Sequence, residues 1–280
     1  MHHSHGTTAR TSERLRAAWG GGEATYGLWS TLPDMTVAEL IAGLSYDYVI
    51  VDLQHGVTTF ADLPVMAQVM RGAGSAPIVR VPSNDPAQIM RALDCGAAGV
   101  IVPLIDSAAE ARAAVEPCRF PPAGTRSWGP MWGYVRSDGA LAPEAQDAQA
   151  ICLVMIETAG ALEAVDEVVA TPGIDGIYIG PNDLALACGY GRQTYRDSPE
   201  VAGLIQRVVD ACRAAGLAAG LHCSDPAMAR EWVGRGATMV TIAQDTALLA
   251  EAATAALEDA RGAADGSAGG SERPAARKPY

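Results

Sequence analysis

Residues 77–104 read PIVRVPSNDPAQIMRALDCGAAGVIVPL. Two short, β-rich apolar runs, Pro77–Val81 and Gly99–Leu104, bracket a longer alanine-containing stretch of helical period, the pattern of a strand, a crossover helix and the next strand. The same alternation recurs on both sides. Thr25–Ser30 (TYGLWS) and Tyr48–Leu53 (YVIVDL) precede this unit. Cys152–Glu157 (CLVMIE), Gly176–Gly180 (GIYIG), Ala218–Leu221 (AAGL) and Met239–Ala243 (MVTIA) follow it. Eight strands with helical crossovers predict an α/β fold, a closed (β/α)8 TIM barrel in a single domain. An open doubly wound sheet fits the same pattern, but no G-x-G-x-x-G follows any strand, which weakens its dinucleotide-binding form.

Composition agrees with this reading. The chain has 280 residues, near the roughly 250 of a typical barrel. Almost half its residues are apolar and only two are Phe, which suits buried parallel strands under alanine-rich helices. Residues 1–14 are polar, with His2, His3 and His5 clustered, and read as a flexible terminus; 15–260 form the barrel; the Gly/Ser/Ala/Pro-rich 261–280 reads as a disordered tail. The interval from Phe120 to Ala150 is long and carries Trp128, Trp132 and Tyr134, so a loop over the barrel mouth with helical parts is expected there.

The net charge of −12 argues against nucleic acid or an anionic membrane as partner, because both need clustered cations. No run approaches the roughly 20 apolar residues that span a bilayer, and the N-terminus lacks a secretory signal, so a cytoplasmic protein is expected. Six cysteines are scattered without a C-x-x-C pair and read as core thiols. Lys278 is the sole lysine, which excludes Schiff-base, pyridoxal and P-loop chemistry in practice. Any carbanion made here needs another stabiliser.

In a barrel the chemistry belongs at the C-terminal ends of the strands, and unusual polar residues collect there. Asp52, Gln54 and His55 close the second strand, Arg80 the third and Glu157 the fifth, while Asn182 and Asp183 follow the sixth. A carboxylate at the end of CLVMI costs free energy unless paired or bound to a cation. Glu157 and Asp183, from adjacent strands, make either a hard-cation site of the Mg2+ or Mn2+ kind or one end of an ion pair with a loop arginine. Gly180-Pro181-Asn182-Asp183 reads as a turn into a helix whose free N–H groups suit a carboxylate, or as an ordinary cap. His55 is placed for a general base or as a structural histidine. Arg80 requires an anionic partner, either Asp52 or a substrate oxyanion.

With these residues assembled, the chain resembles the HpcH/HpaI family of metal-dependent 2-oxo-acid aldolases over roughly Leu28 to Ala252. The resemblance rests on YDYVIVDLQHG, APIVRVPSNDPAQIMRALDCGAAGVIVPLID, CRFPPAGTRSWGP, MIETAGAL, GIDGIYIGPNDLALACGY and GATMVTIAQDT, in that order. It implies a hexameric barrel with the last helix exchanged between subunits. The substrates would be a small 2-oxo acid such as pyruvate and an aldehyde. Glu157 and Asp183 would hold Mg2+ or Mn2+, with Co2+ as an alternative, and Arg80 would contact the oxygen that becomes the enolate. His55 would act on the aldol hydroxyl, paired with Asp94 of a neighbouring subunit. Asp52 would support the site, and Gly180, Pro181 and Asn182, with Gln54, would bind substrate.

Two departures stand out. Many relatives carry Glu where this chain has Gln54 and Gln where it has Met155. Trp132, flanked by Met131 and Trp128, occupies a loop position that often holds Arg, which predicts a less anionic aldehyde partner. A citrate-synthase-like or acyl-CoA-cleaving enzyme on the same barrel is the rival reading, with a non-catalytic binding protein behind it.

Overall fold

The computed structural model describes residues 8–129 and 142–262. Eight strands, β1 (Thr25–Ser30), β2 (Tyr48–Asp52), β3 (Ala76–Arg80), β4 (Gly99–Val102), β5 (Ile151–Ile156), β6 (Gly176–Ile179), β7 (Ala218–His222) and β8 (Met239–Gln244), pair in sequence order and close on themselves. All eight pairings are parallel. The helices are α1 (Thr8–Gly20), α2 (Met35–Ala42), α3 (Leu63–Gly72), α4 (Pro86–Asp94), α5 (Ala108–Val115), α6 (Pro143–Gln149), α7 (Ala159–Glu163), α8 (Val165–Val169), α9 (Pro181–Ala187), α10 (Pro199–Ala215), α11 (Pro226–Gly234) and α12 (Asp245–Gly262). Each expected strand lies within two residues of an observed one.

The two-residue alternation of a strand explains both cores. Val49, Val51, Val79, Val100, Val102, Cys152 and Val154 face outward and pack with residues of the surrounding helices. Tyr48 and Ile50, Ala76 and Ile78, and Ile151, Leu153 and Met155 fill the interior. Gly27 makes room there, since a Cβ on it would sit 2.0 Å from the Tyr48 ring. Continuing the inward series by one step brings Asp52 on β2, Arg80 on β3, Glu157 after β5, Gly180 after β6 and His222 on β7 to the C-terminal mouth. The same periodicity that builds the core therefore aims the polar residues.

Side-chain caps fix where several helices begin. Asp85 accepts from Gln88 N, Ser107 from Glu110 N, Ser198 from Val201 N and Asp225 from Met228 N, each contributing about 1 kcal/mol. At the mouth, the Asp245 carboxylate accepts from Ser30 Oγ, Thr31 N and Oγ1, and Leu32 N, fastening the end of β8 to the end of β1.

Residues 1–7 of the expected flexible segment 1–14 lie outside the described residues, and from Thr8 on the segment belongs to α1. Its Leu15 and Trp19 join the interior core. Ser12 Oγ donates to Ala98 O, Arg14 to Gly74 O and Arg16 to Asp175 and Ala150 O. These partners all lie just before strands, so α1 stoppers the N-terminal end of the barrel, an amphipathic role its polar composition conceals. Contacts divide the chain after Asp245, short of the expected boundary at 260. The second unit, so far as it is described, is α12 through Gly262, which exposes Leu248, Leu249 and Leu257.

Of the 120–150 interval, α6 and an aromatic contact between Phe120 and Trp128, with centroids 5.3 Å apart, are seen. Met131, Trp132 and Tyr134 lie outside the described residues. All six cysteines are free, and all but Cys188 are buried. Among the described residues no helix is long and apolar enough to cross a membrane.

Candidate active site

A cavity of about 230 Å3 opens at the C-terminal mouth, lined by Trp29, Thr31, Asp52, His55, Arg80, Met155, Tyr178, Gly180, Pro181, Asn182, Asp183, His222 and Gln244. Asp52 and Arg80 are register partners on β2 and β3. Arg80 Nε donates to Asp52 Oδ1 at 2.9 Å and Nη2 to Oδ2 at 2.6 Å. Trp29 Nε1 and the backbone N–H groups of Gln54 and His55 also donate to this carboxylate. Burial pushes the Asp52 carboxyl up, but the Arg80 bond and charge outweigh it and hold the group below the usual carboxylate range. Asp52 thus supplies the anion that a buried Arg80 requires. Arg80 also lies over the Trp29 ring at 4.7 Å, and its Nη1 has no partner among the described residues.

Glu157 is 3% exposed. Its Oε1 accepts from Leu104 N at 2.8 Å, where Leu104 takes a left-handed φ of 55°, an uncommon conformation for leucine that turns its N–H to the carboxylate. A Cβ on Gly180 would lie 2.8 Å from Oε2, so only glycine admits the carboxylate at that approach. Burial raises the Glu157 carboxyl above its ordinary range and the nearby Asp183 charge adds to this, with Arg80 and His55 opposing. Among the described residues neither Glu157 nor Asp183 has an ion-pair partner.

Among the described residues no group of three or more His, Cys, Asp and Glu side chains gathers as metal ligands. Two carboxylates that repel one another, one of them buried and neither ion-paired among the described residues, nevertheless suit a hard divalent ion that takes its remaining ligands from water and substrate oxygens. The donor set fits such an ion. Next to Asp183, α9 starts at Pro181 with no side-chain cap, and the N–H groups of Asn182 and Asp183 have no intrahelical acceptor.

The opposite wall comes from β1, β7 and β8. Tyr178 Oη and Thr241 Oγ1 are 3.0 Å apart, and Thr241 Oγ1 is 3.4 Å from His222 Nδ1. Trp29 meets His222 edge to face at 4.9 Å. Burial, with the Arg80 charge, pushes His222 down to about 4, so it is neutral near pH 7.

Of the residues singled out from sequence, Asp52, His55, Arg80, Gly180, Pro181, Asn182 and Asp183 meet around one cavity, with Glu157 directly behind Gly180. Gln54 does not line it; its N–H holds Asp52 while its Oε1 is buried without a partner. Asp94 ends α4 and accepts from the buried Arg126 at 2.8 Å, away from the cavity of its own chain. Sequence reading assigned no role to Trp29, Thr31, Tyr178, His222 or Gln244. The usable signal was position, since Trp29 and His222 stand at strand ends as the other site residues do.

The sequence profile of the HpcH/HpaI aldolase/citrate lyase family matches residues 25–252. A hydroxypyruvate/pyruvate aldolase of Rhizorhabdus wittichii is 36% identical over 248 residues, covering 89% of this chain and 98% of its own. A 2-keto-3-deoxy-L-rhamnonate aldolase of Salmonella gallinarum is 36% identical over 238 residues, covering 82% and 86%. An HpcH/HpaI aldolase/citrate lyase family protein of Burkholderia cenocepacia has a solved structure that superposes with a TM-score of 0.81 at 32% identity, covering 89% and 98%.

Proposed function

The chain belongs to the HpcH/HpaI aldolase/citrate lyase family and is a carbon–carbon lyase, and we propose that it cleaves or forms a 4-hydroxy-2-oxo acid through an enolate stabilised by Arg80 and a divalent ion at Glu157 and Asp183. The aldolase names of its relatives support the reaction class. The observation that carries the site is that Asp183 lines the same cavity as Arg80 while its charge bears on the buried Glu157 just behind Gly180, neither carboxylate being ion-paired among the described residues.

In the cleavage direction His55 accepts the proton of the C4 hydroxyl, directly or through a water. The C3–C4 bond breaks, its electron pair forms the C2–C3 double bond, and the C2 carbonyl electrons move to oxygen. Arg80, fixed by Asp52, presents Nη1 to that developing oxyanion. The Asn182 and Asp183 N–H groups hold the C1 carboxylate and keep the 2-oxo acid oriented. The aldehyde departs, and protonation at C3 returns the 2-oxo acid. A bound Mg2+, Mn2+ or Co2+ would supply Lewis-acid stabilisation of the enolate, the task that an iminium performs in lysine aldolases.

His55 is exposed at the mouth and has no carboxylate partner among the described residues, while Asp94 retains Oδ2 beyond its bond to Arg126. Both facts support pairing of His55 with Asp94 of a neighbouring subunit. Exposed Leu248, Leu249 and Leu257 on α12 support burial of that helix in a homo-hexamer. The enzyme would act in the cytoplasm on a free 2-oxo acid and an aldehyde.

The test is pyruvate release from a 4-hydroxy-2-oxo acid such as 4-hydroxy-2-oxopentanoate, followed through lactate dehydrogenase with and without EDTA. Release that stops with EDTA and returns with Mg2+ or Mn2+ is expected. Release that ignores chelation contradicts the metal assignment.

A further inference from the structure

The mechanism above uses the β2, β3, β5 and β6 sides of the cavity and leaves the wall of Trp29, His222 and Gln244 without a task. His222 is the distinctive group there. Its ring is pinned by the edge contact with Trp29 and by the chain from Tyr178 Oη through Thr241 Oγ1 to Nδ1. Burial pushes the Tyr178 hydroxyl far above its usual value, so it stays protonated and can donate to Thr241. With the chain running in that direction, Thr241 donates in turn to Nδ1, and the tautomer this selects for the neutral ring has its proton on Nε2. Nε2 has no partner among the described residues, yet it is not among the buried unpaired atoms, and His222 lines the cavity. In that tautomer a neutral N–H donor opens into the cavity.

Resting on the proposed enolate chemistry, the direction of that donor becomes specific. With the C1 carboxylate placed at the start of α9 and the C2 oxygen at Arg80, the side left for C3, the third substituent of the planar 2-oxo acid, is the part of the cavity that Trp29 and His222 line. We propose that His222 is a specificity-determining residue that selects a donor 2-oxo acid bearing a hydroxyl on C3, hydroxypyruvate over pyruvate, by donating Nε2–H to that hydroxyl. A methyl group at C3 would displace water from Nε2 and leave the donor unpaired. Sites built to bond a hydroxyl reject the analogue lacking it far more strongly than apolar pockets reject an added methylene.

The experiment compares kcat/KM for addition of hydroxypyruvate and of pyruvate to D-glyceraldehyde with Mg2+, in wild type, His222→Leu and His222→Gln. The expected wild-type preference is for hydroxypyruvate. The hydroxypyruvate/pyruvate ratio should fall roughly tenfold to a hundredfold in His222→Leu, with His222→Gln, which keeps an N–H donor, retaining part of it. A ratio unchanged in His222→Leu, or lowered as far in His222→Gln, overturns the inference. Should the variants not fold, 15N spectra of wild-type imidazoles decide it. Nε2 of His222 should shift with hydroxypyruvate and Mg2+ and not with pyruvate and Mg2+, and equal shifts overturn it. C3 proton exchange of both donors in D2O separates the two claims. Exchange with an insensitive ratio overturns the role of His222 alone, whereas no exchange of either donor overturns the enolate reading along with it.

Discussion

The position of a Cβ on Gly180 lies 2.8 Å from Oε2 of Glu157, so the first residue after β6 has to lack a side chain for the carboxylate after β5 to stand where it does. Gly180 has an ordinary φ of −93°, and alanine is therefore acceptable to the backbone there but not to its neighbour. Gly180→Ala should push Glu157 aside and weaken Mn2+ binding about 10- to 100-fold, read by calorimetric titration, while the circular dichroism melt changes little. Unaltered affinity would remove Glu157 from the metal site.

Arg80 spends Nε and Nη2 on Asp52 and keeps Nη1 for the cavity. Lysine retains the charge without the fork, so it cannot hold both oxygens of Asp52 and also serve the enolate. Arg80→Lys should lower kcat about 10²- to 10³-fold, with a smaller change in KM, because the lost contact strengthens as the oxyanion forms. Steady-state kinetics with a 4-hydroxy-2-oxo acid checks this, and a change confined to KM would assign Arg80 to ground-state binding.

Asp52 neutralises a guanidinium that is only 8% exposed. Asp52→Ala should destabilise the barrel by about 3–5 kcal/mol, because it leaves the Arg80 charge buried and unpaired. The pH dependence has a defined sign. A carboxyl whose folded value is depressed contributes stability above its unfolded value of about 3.9, and that contribution disappears as pH falls through the depressed folded value. Denaturant midpoints at pH 7 and in the acid range, wild type against Asp52→Ala, should therefore converge as acid is added.

His222 gives a second pH signature. In the unfolded chain it titrates near 6.5 and in the barrel near 4, so between these values the unfolded state binds more protons. Its contribution to stability is complete above about 6.5, declines as pH falls toward 4 and is level below. Melting temperatures across this window should slope less in His222→Gln than in wild type. Equal slopes would show that the ring is not held neutral.

The barrel is legible because inward and outward positions alternate so regularly that eight apolar runs can be counted, and the candidate site because Asp52, Arg80 and Glu157 interrupt or end such runs. What stayed hidden depends on distance in space. That Asp52 rather than substrate pairs with Arg80, that Leu104 turns its N–H to Glu157, and that Asp94 answers Arg126 within the chain are long-range facts with no periodic signal. α1 was missed because a polar segment carrying only a few core residues, Leu15 and Trp19 among them, looks like a terminus until Ser12, Arg14 and Arg16 find carbonyls at the strand starts. His222 was visible as a rare residue at a strand end, but its task depends on Thr241 and Tyr178, which lie on two other strands.

The proposed enolate forms at Arg80 with a divalent ion held by Glu157 and Asp183. Its most direct test is NMR of pyruvate methyl-proton exchange in D2O, which needs no knowledge of the aldehyde. Exchange is expected with Mg2+ or Mn2+, with suppression by EDTA and loss in Glu157→Ala. No exchange of pyruvate, hydroxypyruvate or 2-oxobutyrate in the metal-loaded wild-type protein would contradict it.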